Sequence, residues 1–212
     1  MLNIEIVSDF VCPWCFIGLR RLSAAVDLVR RDVPGFACRK RWRPFFLNPN
    51  TPPEGEPYLP FLEHKFGSRQ RVDALFANVR QAGAAYGLEY AFEKIQVRAN
   101  TLDAHRLVHW AQSQGDAEAL VERLFVGQFQ RGENVGDRAT LCAIAAEVGL
   151  EARTVAAYLA SGMDTAQVRR LERESRASGV SSVPTFLVDS RHVVVGAEDP
   201  AILARAIRQA LI

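Results

Sequence analysis

The sequence predicts an α/β fold in which a strand–helix–strand unit and a strand–strand–helix unit flank a large all-helical insertion. Near both ends of the chain, branched residues alternate with polar ones, which is typical of half-buried strands. Through the middle, apolar residues recur at steps of three and four, which is typical of amphipathic helices. Glycine and proline separate these segments and mark their ends.

The first unit opens the chain. Residues 3–8 alternate and predict a strand. An apolar stripe from Cys15 onward predicts an amphipathic helix, and the Pro34-Gly35 pair ends this helix. Residues 36–47 alternate again and predict a second strand, which we place at a sheet edge because Pro44 cannot donate to a ladder. A strand, a helix and a strand in this order predict a right-handed crossover between parallel strands.

The middle of the chain is predicted to be an inserted helical subdomain over residues 57–178. Residues 1–50 and 179–212 then form one discontinuous domain. The helical pattern covers residues 70–86, 102–114, 117–131, 138–148, 152–160 and 164–177.

The closing unit begins after Gly179. The segments PTFLVD and HVVVGA predict an antiparallel hairpin with a turn at Ser190-Arg191. Asp199 is a typical N-cap for a last helix, and Pro200 suits the first turn of that helix.

Composition excludes several classes of protein. The 212 residues carry 26 basic and 24 acidic side chains, and this formal net charge of +2 argues against a nucleic-acid partner. No apolar run approaches the roughly 18 residues that a membrane span needs. The first residues lack the basic start of a secretory signal. We therefore expect a cytoplasmic protein with no membrane partner.

The segment Cys12-Pro13-Trp14-Cys15 lies where the first strand ends and the first helix begins. The free N–H groups and the dipole at a helix N-terminus lower a cysteine pKa from about 8.5 to roughly 3.5–7.5. This placement predicts that Cys12 is an exposed nucleophile. Cys15, one turn later, is then the resolving thiol that attacks a mixed disulfide at Cys12. Pro13 stiffens the turn between them.

A zinc site or a purely structural pair is the other interpretation of the two cysteines. Zinc would need a second pair of ligands. Cys38 and Cys142 stand alone in the sequence, and His105 and His109 have no HExxH glutamate between them. We therefore favour redox chemistry and expect no metal.

The sequence resembles the DsbA family of thioredoxin-like proteins, most closely its FrnE-like branch. The resemblance rests on SDFVCPWCFIG, FFLNP, NTLDAHRL, GVSSVPTF and VVGAEDP, which together span nearly the whole chain. It implies a thioredoxin-like fold and a cis peptide bond between Val183 and Pro184, facing the cysteines. We expect Val183 and Pro184, with Pro13 and Trp14, to form the substrate-binding site, because the Val183 backbone is free to pair with an extended peptide.

The expected function is a thiol–disulfide oxidoreductase that acts on protein or small-molecule disulfides through the CPWC motif. Its only cofactor would be the redox-active pair itself. Trp14 stands where strongly oxidising DsbA proteins commonly have histidine, so a cation that would stabilise the thiolate is missing. We expect a less oxidising couple, which in a reducing compartment rests as a dithiol.

Two alternatives stay open. Chromene-carboxylate isomerases and kappa-class glutathione transferases have a fold and an insertion that resemble those expected here. These families typically carry serine at the position of Cys12. In that case glutathione is a co-substrate, and Glu198 and Asp199 are candidates for binding its amine, although both residues also suit helix capping. The second alternative is a non-catalytic peptide-binding chaperone. The oligomeric state stays open as well, a homodimer included.

Overall fold

The computed structural model describes all residues, 1–212. None of the helices combines the length and the apolar character that a membrane span requires. In chain order the elements are β1 (Leu2–Ser8), α1 (Pro13–Asp32), β2 (Cys38–Pro44), β3 (Glu56–Pro57), α2 (Tyr58–Phe66), α3 (Arg69–Ala84), β4 (Val97–Arg98), α4 (Leu102–Gln114), α5 (Glu118–Val126), α6 (Arg138–Glu147), α7 (Ala152–Ser161), α8 (Thr165–Ala177), β5 (Thr185–Val188), β6 (His192–Val195) and α9 (Pro200–Gln209).

The chain divides into two compact units. The first unit comprises Met1–Leu47 and Arg169–Ile212, and the second unit comprises Asn48–Val168. The first unit therefore holds the strand–helix–strand segment and the closing hairpin and helix, whereas the second unit holds most of the predicted insertion.

The first unit contains a four-stranded sheet in the order β2-β1-β5-β6. β1 runs parallel to β2, with Leu2 opposite Cys38. β5 runs antiparallel to both β1 and β6. The parallel crossover, the edge position of the second strand and the closing hairpin are therefore confirmed.

α1 begins and packs as its sequence predicts. Pro13 is its first residue and Cys12 its N-cap. Helices α1 and α9 pack against each other. Their facing side chains are apolar and buried, and they join the sheet residues in one core that includes Ile4, Phe16, Ile17, Leu22, Phe186, Leu203 and Ile207. Burial of this kind contributes about 1.5–3 kcal/mol for each large apolar side chain and holds the start of α1 in place.

The boundary between the units differs from the predicted one near α8. We expected the insertion to extend to residue 178, but residues 169–178 belong to the first unit. Arg176 donates from Nη2 to the carbonyl oxygen of Phe46 at 2.7 Å, and its guanidinium carbon lies 4.1 Å from the centre of the Phe45 ring. These contacts join the end of α8 to the segment after β2. Helical periodicity carries no information about them.

The second unit is helix-rich rather than all-helical. β3 and β4 form a short antiparallel pair with Glu56 opposite Arg98. The predicted helices appear as α3 to α8, but the segment 117–131 is divided into α5 and a π-helical turn at Gly127–Arg131. α2 was not predicted, because it is short and carries a proline in its first turn.

A buried arginine links α4 to α7 in the second unit. The Arg106 side chain is 1% exposed. It donates from Nε to the carbonyl oxygen of Met163 at 2.7 Å, from Nη1 to that of Leu159 at 3.1 Å, and from Nη2 to that of Tyr158 at 3.1 Å. Nη1 also contacts the Asp103 carboxylate at 2.6 Å. Buried polar groups need partners of this kind, so this cluster stabilises the unit.

Candidate active site

The two cysteines of the CPWC segment lie at the start of α1. The N–H of Cys12 donates to the carbonyl oxygen of Asp9 at 3.1 Å, and the N–H of Cys15 donates to that of Cys12 at 3.0 Å. The turn is therefore held by its own backbone bonds. Both cysteines are free thiols.

Both cysteines are buried. Cys12 is 4% exposed and Cys15 is 3% exposed, whereas Trp14 is 37% exposed. The expectation that Cys12 is an exposed nucleophile is therefore wrong, because a sequence pattern places a residue at a helix start without showing what covers its sulfur.

The surroundings of Cys15 favour the protonated form of its thiol. Burial raises the pKa of Cys15 well above its ordinary value, and a hydrogen bond to Cys12 and the charges of Cys12 and Asp9 raise that pKa further. A hydrogen bond from the Asp9 backbone acts in the opposite direction without offsetting them. Cys15 therefore stays protonated at neutral pH and donates its hydrogen bond to the Cys12 sulfur.

The Val183–Pro184 segment lies beside Cys12. This peptide bond is cis, as the family resemblance implies. Cys12 Sγ donates to the carbonyl oxygen of Val183 at 3.6 Å. The Pro184 carbonyl accepts from the N–H of Gly196 at 2.7 Å, whereas the N–H of Val183 bonds to no group of the chain. An unpaired backbone donor next to the thiols is what an extended peptide needs in order to pair with the protein.

Gly18 allows Pro184 to approach α1 closely. A Cβ atom at Gly18 would lie 2.7 Å from Pro184 Cγ and 3.1 Å from Phe186 Cζ. The first separation is shorter than van der Waals contact, and a proline ring cannot rotate away. Sequence reasoning missed this residue, although a glycine inside a helix costs about 1 kcal/mol relative to alanine and so indicates a packing role.

We expect Gly18→Ala to lower the free energy of unfolding by up to about 2 kcal/mol, because overpacking typically costs about 1–3 kcal/mol and the gain in helix propensity offsets about 1 kcal/mol. Urea unfolding followed by circular dichroism measures this change. Ser23→Ala on the same helix is the control and should leave the unfolding midpoint near that of the wild type. A Gly18→Ala midpoint at or above the wild-type value would show that Pro184 does not contact the helix.

Asp9 is a second residue that sequence reasoning missed. Its side chain is buried, and its carboxylate accepts the N–H of Leu47 at 2.7 Å. It thereby joins the turn before Cys12 to the segment after β2, and its charge raises the pKa of Cys15. The sequence carries one signal for it, an acidic residue between an apolar strand and the cysteine pair. Carboxylates are rarely buried without a partner, so an acidic residue at this position indicates a bonded side chain.

Four further residues singled out in the sequence are His105, Glu198, Asp199 and Cys142. His105 is buried on α4 in the second unit. Asp199 accepts the N–H of Ala201 at 2.8 Å and caps α9, while Glu198 is exposed. Cys142 is half-buried on α6, where burial raises its pKa. No group of three or more His, Cys, Asp or Glu side chains gathers as a metal site.

Comparison with known proteins identifies relatives along the whole chain. Residues 3–208 match the family described as the DSBA-like thioredoxin domain. The crystal structure of a probable DsbA oxidoreductase from Streptomyces coelicolor shares 32% identity, covers 100% of this chain and 90% of its own, and superposes with a TM-score of 0.90. The Bacillus subtilis protein YwbO is 25% identical over 97% of this chain and 95% of its own length.

Two more distant structures show the same fold. The cytosolic disulfide reductase DsbM from Pseudomonas aeruginosa, solved with GSH, is 18% identical over 99% of both chains, with a TM-score of 0.69. A 2-hydroxychromene-2-carboxylate isomerase is 16% identical over 99% of this chain and 96% of its own, with a TM-score of 0.71. The thioredoxin-like fold expected from the sequence is therefore confirmed.

Proposed function

This chain belongs to the family of DsbA-like thioredoxin domains, and on that premise we propose that it is a thiol–disulfide oxidoreductase acting through Cys12 and Cys15. The family supports an oxidoreductase or a related isomerase. One observation carries the finer proposal: two free thiols share a hydrogen bond at the start of α1, beside the unpaired Val183 N–H.

Cys12 is the attacking group in this proposal. It lies at the N-cap of α1, beside the carbonyl oxygen of Val183 and the Cys15 thiol. Its thiolate attacks one sulfur of a substrate disulfide, so that a Cys12–substrate disulfide forms and the substrate S–S bond breaks. The leaving sulfur departs with the electron pair and takes a proton from water.

Cys15 completes the exchange. It loses its proton and attacks Cys12 Sγ, which forms the Cys12–Cys15 disulfide and releases the second substrate sulfur as a thiolate. The substrate gains two electrons and the pair loses two. The raised pKa of Cys15 delays this second step until its proton is removed. The reverse sequence oxidises a dithiol substrate.

Pro13, Trp14, Val183 and Pro184 would bind the substrate. Trp14 is the exposed side chain between the two cysteines and offers apolar surface to an incoming chain. The Val183 N–H would pair with a substrate carbonyl, as in the addition of a strand.

Glutathione is the thiol that we propose returns the oxidised pair to the dithiol. DsbM, which shares the fold, is a cytosolic disulfide reductase solved with GSH. We propose that this protein also acts in the cytosol, as DsbM does, where thiols are kept reduced. We favour exchange over glutathione-dependent isomerisation because both thiols are present.

Redox equilibration with glutathione tests the proposal. We expect a reduction potential inside the cytosolic glutathione window of roughly −220 to −320 mV, together with catalysed reduction of insulin or hydroxyethyl disulfide. A potential far below that window without turnover would mark a structural disulfide and exclude catalysis.

A further inference from the structure

β6 is one edge of the four-stranded sheet, and its side chains leave this edge unprotected. The strand comprises His192–Val195 and pairs with β5 on one side only. Val193 is 61% exposed and Val195 is 52% exposed, whereas Val194 between them is 8% exposed. An edge strand with exposed branched side chains and no charge among them can pair with another strand.

The same two valines carry the backbone groups that face away from the sheet. The N–H of Gly196 donates to the carbonyl oxygen of Pro184 at 2.7 Å, so these two residues are a hydrogen-bonded pair. Bonded and non-bonded pairs alternate along an antiparallel ladder, so Val194 bonds to β5. The N–H and C=O groups of Val193 and Val195 therefore point outward from the edge.

β2, at the opposite edge of the sheet, is protected against pairing with a copy of itself. Its sequence includes Arg39, Lys40, Arg41 and Arg43 and ends at Pro44. Two copies of this strand would bring like charges together, which disfavours pairing. Of the two edges, β6 is the one that favours self-pairing.

We propose that the protein forms a homodimer in which β6 pairs antiparallel with β6 of a second copy. The two-fold axis passes between the two Val194 residues, so Val193 of each copy lies opposite Val195 of the other. Each of these pairs exchanges two N–H···O bonds, and the bonds use the outward backbone groups on both strands. The paired valine side chains lie on the same face and shield each other from water.

Charge along the edge favours a second copy as the partner. Arg191, which precedes β6, is exposed and uses only Nη2 for hydrogen bonds within its own chain. Glu198 is exposed and makes no ion pair, and its Oε1 lies 4.0 Å from the position that a Cβ atom at Gly196 would take. In the proposed register His192 lies opposite Gly196 of the second copy. The free donors of Arg191 thereby come near the unpaired Glu198 carboxylate at both ends of the interface.

Sedimentation velocity of the full chain tests whether the dimer forms. We expect the average mass to rise from that of the monomer towards twice that mass as the concentration increases from micromolar to millimolar. Hydrogen exchange followed by NMR over the same range tests the register. The amides of Val193 and Val195 should become protected only at high concentration, whereas the amide of Val194 should be protected throughout because it bonds to β5.

Four variants test the interface by sedimentation. Val193→Lys should raise the Kd of the dimer about 10-fold or more, because lysine on an edge strand discourages pairing. Val193→Pro removes one outward N–H, which an edge strand tolerates, so it should weaken the dimer and retain the fold by circular dichroism. Glu198→Lys should also weaken the dimer, by a factor that falls at high salt. Leu75→Lys is the matched control and should leave the Kd unchanged, because Leu75 is exposed on α3.

Three results would overturn the proposal. They are a monomer at every concentration, a dimer that Val193→Lys leaves unchanged, and protection that appears at other amides but not at residues 193 and 195. A monomer would leave this edge to solvent or to an extended chain of another protein. Val193 lies outside the proposed substrate-binding residues, so failure of the dimer is distinct from failure of the dithiol chemistry.

Discussion

Replacing Cys12 by serine should reduce disulfide turnover to the uncatalysed level, because a serine hydroxyl at neutral pH is not ionised and cannot form the mixed disulfide. Replacing Cys15 should have a different effect. Cys12 would still attack the substrate, but the resolving thiol would be missing, so a covalent Cys12–substrate adduct should accumulate.

Turnover of hydroxyethyl disulfide and intact-protein mass spectrometry measure these two effects. Cys142→Ser is the matched control and should retain full turnover, because Cys142 is a single free cysteine outside the CPWC pair. Full turnover in Cys12→Ser would exclude dithiol exchange. Loss of turnover with surviving glutathione-dependent isomerisation would favour the isomerase alternative, and a chaperone would be indifferent to both cysteine replacements.

Replacing Arg106 by methionine should destabilise the second unit by about 3–5 kcal/mol, which is the usual result of removing one partner from a buried charged cluster. Methionine fills similar space but donates no hydrogen bond. The carbonyl oxygens of Tyr158, Leu159 and Met163 would lose the donor that Arg106 supplies. Asp103 would keep its contact with Arg138.

Urea unfolding followed by circular dichroism measures this loss. Arg153→Met is the matched control, because Arg153 is exposed on α7 and its side chain makes no ion pair. It should change the free energy of unfolding by no more than about 0.5 kcal/mol. A similarly small change in Arg106→Met would show that the cluster contributes little to stability.

Local sequence patterns are sufficient to predict many elements of this fold. The alternation of residues 3–8 and the apolar stripe after Cys15 follow directly from the repeats of a strand and a helix, and the structure has both elements. Asp199 was predicted to cap the last helix for an equally local reason, since an N-cap bonds within its own turn. The CPWC motif indicated redox chemistry at a helix start by spacing alone.

Contacts between distant parts of the chain decided the rest. The bond between Asp9 and Leu47 and the approach of Pro184 to Gly18 join residues far apart in sequence. The burial of Cys12 likewise depends on the folded chain. The assignment of residues 169–178 to the first unit has the same origin, through Arg176 and the segment after β2. Periodicity reports which face of an element is apolar, but it contains no information about the particular side chain that this face will meet. The elements and the position of the cysteine pair at a helix start therefore follow from the sequence, whereas the burial of Cys12 and the packing around it depend on the folded chain.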